Sequence, residues 1–131
     1  MKPEEQTNLY GYKDDFKKFS TMYNNGILPN KILLSGNEGI GKCTLAYHLI
    51  NYIFNKKPDE SYNLDKNIIN TNSKSFKLIK KNSHPNFYKI SLSREKNSID
   101  ILQIREMIKF SQKTSFDNNE KIILIDQIEY L

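Results

Sequence analysis

The stretch Ser35–Ala46, SGNEGIGKCTLA, decides how the rest of the chain is read. Gly36, Gly41 and Lys42 meet the spacing G-x-x-x-x-G-K, with Gly39 as a further glycine inside the loop. Glycines reach positive φ and let backbone N–H groups approach phosphate oxygens closely. A helix opening at the loop's end adds its positive pole, and Lys42 adds a point charge for the outer phosphates. Context supports the motif. KILLS (31–35), bounded by Pro29 and Gly36, has the composition of a buried parallel strand. From Lys42 onward, Leu45, Leu49, Tyr52 and Ile53 line one helical face.

One position breaks the pattern. Cys43 stands where a Ser or Thr hydroxyl would bind Mg²⁺. Mg²⁺ is a hard cation that takes oxygen, and a thiol is a soft substitute. Thr44 is rotated about 100° further round the helix, so it reaches an inner phosphate rather than the metal. The expected nucleotide-binding set is therefore a degenerate Walker A at 36–44: Gly36, Gly39, Gly41, Lys42, Cys43 and Thr44. Its partner is IILIDQ (122–127), an apolar strand whose Asp126 would face Mg²⁺. The next residue is Gln127, which cannot serve as a general base, where many ATPases place Glu. Two parts of a hydrolytic site are weakened. The loop leaves room for ATP or ADP, with Mg²⁺ badly held and little hydrolysis expected. Asp126 and Gln127 form the Walker B pair of 121–127, and no residue is assigned a catalytic role.

The flanking sequence alternates helix and strand. Tyr12, Phe16, Phe19 and Tyr23 make one face of a helix that NNG (24–26) stops. Residues 57–82, rich in Lys, Asn and Ser, hint at two short helices. His84-Pro85 marks a turn, NFYKISL (86–92) a second strand, and a helix follows near 99–113. Ile101, Ile104, Met107 and Ile108 are its expected buried stripe, and KIILID (121–126) is a third strand. This alternation defines an α/β fold, a parallel sheet flanked by helices. His48 is expected to be structural, His84 to be a turn residue, and Arg105 to lie on a solvated helix face.

Composition narrows the class. The chain has 131 residues, 37% apolar and 27% charged, enough for one small domain. Its longest apolar run, Ile122–Ile125, is far too short for a membrane span, and a cytoplasmic setting is expected. A lone cysteine excludes an internal disulfide and a cysteine-cluster zinc site. The net charge is +5, with ten Lys or Arg against four Asp or Glu between Lys56 and Lys96. That segment favours polyanions such as DNA, although Lys and Asn are abundant throughout the chain.

The ordered blocks resemble the delta-prime subunit of the bacterial DNA polymerase III clamp loader, a member of the AAA+ P-loop NTPases. The resemblance rests on residues 9–54 (opening helix, strand, loop and helix), HPNFYKI (84–90), SIDILQIREMIKF (98–110) with Ile104-Arg105, and KIILIDQIEYL (121–131). It implies a RecA-like sheet over 1–131 that stops just after the Walker B strand, with lid and collar absent. The chain would then be the N-terminal fragment of a longer protein, and apolar faces would be exposed. The resemblance also implies a place in a hetero-oligomeric ring of clamp-loader subunits that loads the sliding clamp on primed DNA. Tyr10 to Tyr12 would border the adenine. The related gamma/tau subunit, an active ATPase, is the alternative, and it would keep a hydroxyl at 43 and Glu at 127. A P-loop kinase would need an acceptor pocket that the sequence does not offer. Many relatives hold a cysteine-liganded zinc between the loop helix and the second strand. Here 55–83 has no cysteine, so no zinc is expected and that segment must be held in some other way.

Overall fold

The computed structural model describes residues 2–34, 41–91, 101–114 and 120–126, with Ser91 and Asp126 described through their backbone. A single 3-10 turn at Pro3–Glu5 leads into α1 (Lys13–Asn24), α2 (Lys42–Phe54), α3 (Lys74–Lys80), β1 (Phe87–Ser91), α4 (Ile101–Gln112) and β2 (Ile122–Asp126). The fold is α/β. Its contacts divide into two units, Met1–Lys80 and Lys81–Leu131.

In the first unit α1 carries Asp14 and Asp15 in its first turn, matching the positive pole of the helix. It ends where NNG predicts. Gly26 takes φ +71°, and Ile27 N–H reaches back to Met22 O at 2.9 Å, a six-to-one closure that satisfies a terminal carbonyl. Phe16 is the buried anchor of the α1 stripe, while Tyr12, Phe19 and Tyr23 are half-buried. Its ring packs at 4.9 Å from Tyr62 and edge-on to Tyr52 and His48 at 6.0 and 6.5 Å. Such offset and edge contacts suit the aromatic quadrupole.

Helix α2 is more deeply enclosed than a one-face stripe predicts. Leu45, Leu49 and Ile53 are buried, and so are Tyr47, His48, Ile50, Asn51 and Phe54, while Tyr52 is half-buried. The Lys/Asn-rich segment supplies part of the cover. Between 57 and 82 there is one helix, α3, rather than two. The rest is turns held by backbone bridges and asparagine side chains. Asn8 and Asn63 each form an antiparallel bridge with Ile68, and Ile69 N–H donates to Thr7 O at 2.9 Å. Asn63 Oδ1 accepts from Lys66 N–H and Asn70 Oδ1 from Asn72 N–H, the local turns that asparagine favours. Ser73 Oγ accepts from Phe76 N–H at 3.1 Å, capping α3, and donates to Asn55 Oδ1. Tyr62, Ile69, Phe76 and Ile79 are buried. Polar turns and apolar anchors therefore hold this cysteine-free segment.

The expected strand at 31–35 is not formed over 31–34, where Ile32 and Leu33 are 40% and 69% exposed. A parallel strand needs a neighbour for its N–H and C=O groups, and no described strand lies beside this run.

In the second unit β1 and β2 pair in parallel, from Phe87↔Ile122 to Ser91↔Asp126. Phe87 and Ile90, on opposite faces of β1, are both buried. Helix α4 corrects another expectation. None of its residues is buried; Ile101 and Ile108 are exposed, and Ile104 and Met107 are half-buried. Several contacts tie its C-terminal end. The Phe110 ring lies 5.5 Å from that of Tyr88. The Lys121 ammonium donates to Phe110 O and Lys113 O, and sits 4.8 Å from the Phe110 ring centroid. A cation at the carboxyl end of a helix complements its dipole.

Candidate nucleotide-loop site

The sequence expectation converges on Gly41 and the start of α2. Gly41 has φ +88° and ψ 15°, the left-handed region that glycine enters without a Cβ penalty. It is the N-cap of α2, and Leu45 N–H donates to its carbonyl at 3.0 Å. No side chain caps this end and no acid occupies the first turn. The helix pole and the Lys42 charge therefore act together, an arrangement that suits an anion. A methyl group at Gly41 would lie 3.7 Å from the Tyr12 ring. Tyr12 itself holds φ 59° as the N-cap of α1, an uncommon conformation for a bulky side chain. Of Tyr10 and Tyr12, only the second reaches this glycine, while Tyr10 is largely exposed. The sequence puts Tyr12 in the core stripe, the resemblance puts Tyr10 to Tyr12 beside the adenine, and the approach of the Tyr12 ring to Gly41 is the structure's addition. The uncommon backbone and the ring contact are visible only in three dimensions.

Cys43 is a half-buried thiol in the first turn, outside any disulfide, with Thr44 beside it. The donor set at the start of α2 fits phosphate oxygens through charge and dipole. It does not fit Mg²⁺, because the residue after Lys42 offers sulfur instead of oxygen. Gly36 and Gly39 lie outside the described residues, as do Gln127 and the Asp126 side chain. Asp126 is placed through its backbone at the C-terminal end of β2. Lys42 belongs to the first unit and Asp126 to the second.

Seven residues after Gly41, His48 anchors α2. It has no exposed surface. Its Nε2 lies 3.0 Å from Gln6 O, which can only accept, so Nε2 carries the proton. Nδ1, 2.7 Å from the Tyr62 hydroxyl, then accepts from it. Burial lowers the imidazole pKa to about 4, against the opposing pull of the Gln6 carbonyl. Burial also raises the Tyr62 hydroxyl pKa. The structural role expected of His48 is thus met, and its partners come from 42 residues upstream and 14 downstream. His84 also plays its expected part. Its Nδ1 accepts from Asn86 N–H at 3.1 Å, its carbonyl from Phe87 N–H at 3.3 Å, and burial lowers its pKa. Arg105 is exposed, as a solvated face requires.

No described helix is long and apolar enough to cross a membrane. The first unit carries a glycine-led helix, and the second a parallel strand pair with an acid at its end, within an α/β fold. Residues 11–131 match the profile of the family described as DNA polymerase III, delta subunit. The chain belongs to that family, a group of clamp-loader subunits that serve DNA replication. No curated protein matches it.

Proposed function

We propose that the chain acts as a delta-prime-type subunit of the clamp loader, helping neighbouring subunits place the sliding clamp on primed DNA without turning over ATP itself. The observation that carries this is Cys43. It follows Lys42 in the first turn of α2, directly after the left-handed Gly41. The anion-directed features remain there, while the oxygen that would seat Mg²⁺ is replaced by sulfur. Gln127 after Asp126 supports the same reading, because an amide cannot accept a proton from the attacking water. ATP or ADP would be held by Lys42, Thr44 and the loop backbone with little help from the metal. The work of hydrolysis would then fall to adjoining subunits.

The test is ATP binding and phosphate release by the purified full chain, with and without Mg²⁺. Phosphate release should not exceed that of Lys42→Ala, and any ATP affinity should change less than about threefold on adding Mg²⁺. Cys43→Ser should restore a Mg²⁺-dependent gain of about tenfold, the return of one hard ligand. Brisk Mg²⁺-dependent turnover that Lys42→Ala abolishes would overturn the proposal and establish an active ATPase of the gamma/tau type.

A further inference from the structure

From Lys66 to Arg94 the sequence has seven Lys or Arg and no Asp or Glu. The fold arranges part of this run into a surface. On α3, Phe76 and Ile79 turn into the core, while Lys74, Lys77 and Lys80 are all exposed. Steps of three residues make these lysines neighbours on the helix. The Lys80 ammonium lies 5.8 Å from the Phe76 ring centroid, which holds its stem along the helix. Asn70 lies in the turn ahead of the helix, where its side chain donates to Asp59 O and accepts from Asn72 N–H. From Lys74 to Lys80 the helix rises about 9 Å, which spans two to three phosphates of one nucleic-acid strand.

We propose that Lys74, Lys77 and Lys80 of α3 form a docking face for the phosphate backbone of nucleic acid. The face offers three ammonium groups, with the Glu60 carboxylate accepting from Lys74 N–H at 3.4 Å at its first turn, and the ring of α3, Phe76, is buried. It therefore neutralises phosphates without stacking on bases, and it reads no sequence. The proposal uses none of the residues Gly41–Thr44, so this inference does not depend on how ATP is handled, and its failure would leave that proposal intact.

The experiment is fluorescence anisotropy of a labelled DNA duplex and a labelled single strand with the full chain, over a salt series. Binding should be independent of sequence, with log K falling against log[salt] at a slope of about −2.7 on duplex for three phosphates neutralised. Lys74/Lys77/Lys80→Glu should weaken binding at least about tenfold and flatten that slope towards zero. Lys13/Lys17/Lys18→Glu on the exposed side of α1 makes the same change in net charge and should weaken binding less than about threefold. Far-ultraviolet circular dichroism checks the fold. If the glutamate variant loses it, Lys74/Lys77/Lys80→Gln decides, with an expected loss of about fivefold. Equal losses for the two charge-matched sets would overturn the proposal, as would absence of DNA binding by the unaltered chain. Binding to polyglutamate or to phosphatidylserine vesicles as tight as to DNA would overturn it too.

Discussion

Helices α2 and α4 are nearly the same length, 13 and 12 residues, and both show an apolar stripe in the sequence. Eight residues of α2 are buried and none of α4 is. Periodicity specifies which side of a helix seeks cover, and the supply of cover is a separate matter. Around α2 the cover comes from α1, from the 3-10 turn at Pro3–Glu5 and from the 55–80 segment, each anchored by side chains that interlock. In the second unit α4 holds to β1 and to the residue ahead of β2 chiefly through Phe110, Tyr88 and Lys121. Ile101 and Leu102 are both 67% exposed.

The largest expected effect tests the α2 side of this contrast. Phe16→Ala should cost about 3–5 kcal/mol of stability by urea titration, because it empties the centre of an aromatic cluster. A loss below 1 kcal/mol would show that the cluster does not hold the unit together. The next is acid sensitivity. The folded pKa of His48 lies near 4, below its ordinary 6.5, so the folded state prefers the neutral ring. This contribution to stability is complete above pH 6.5 and is lost as pH falls towards 4, amounting to about 3 kcal/mol. The His48 resonance in an NMR titration should stay neutral to about pH 5, whereas a midpoint near 6.5 would mean an accessible ring. Gly41→Ala should cost about 1–2 kcal/mol, because alanine is strained at φ +88°. Thermal melts monitored by circular dichroism would measure it. Smallest of all, Ile101→Ser and Leu102→Ser should change stability by less than about 0.5 kcal/mol. Hydrogen exchange sharpens the same point, with α4 amides expected to exchange well before those of α2. Equal protection would erase the distinction between the two helices.

Much of this frame is legible in the residues. The stop at Gly26, the helix after Lys42, the turn at His84 and both paired strands follow from local spacing and composition. Three features are not legible, each for a physical reason. Residues 31–34 have strand composition, but a strand is a property of a pair. The enclosure of α2 depends on bridges such as Asn8↔Ile68 between residues far apart in the chain. The neutral state of His48 depends on Tyr62 and on a carbonyl at position 6, neither of which carries a local signal. For the candidate site, the sequence expects a helix to open after Gly41, and α2 begins there, with Lys42 and Cys43 in its first turn. The resemblance brings Tyr10 to Tyr12 towards the expected nucleotide, and only the fold singles out the Tyr12 ring as the one near Gly41. Some of the 57–82 turns could have been foreseen, since Asn63 and Asn70 each close a short loop through their own amide oxygen.

The leading segment of the chain has a reach beyond its size. Gln6 lends its carbonyl to a ring on the helix that follows the glycine loop, and Thr7 fastens the neighbouring hairpin-like turn through Ile69. Trimming residues 1–8 would strand the imidazole N–H inside an oily interior and release one wall of its enclosure. Damage at the extreme amino end would thus be felt along α2, which makes those few residues a tether for that helix rather than an ornament.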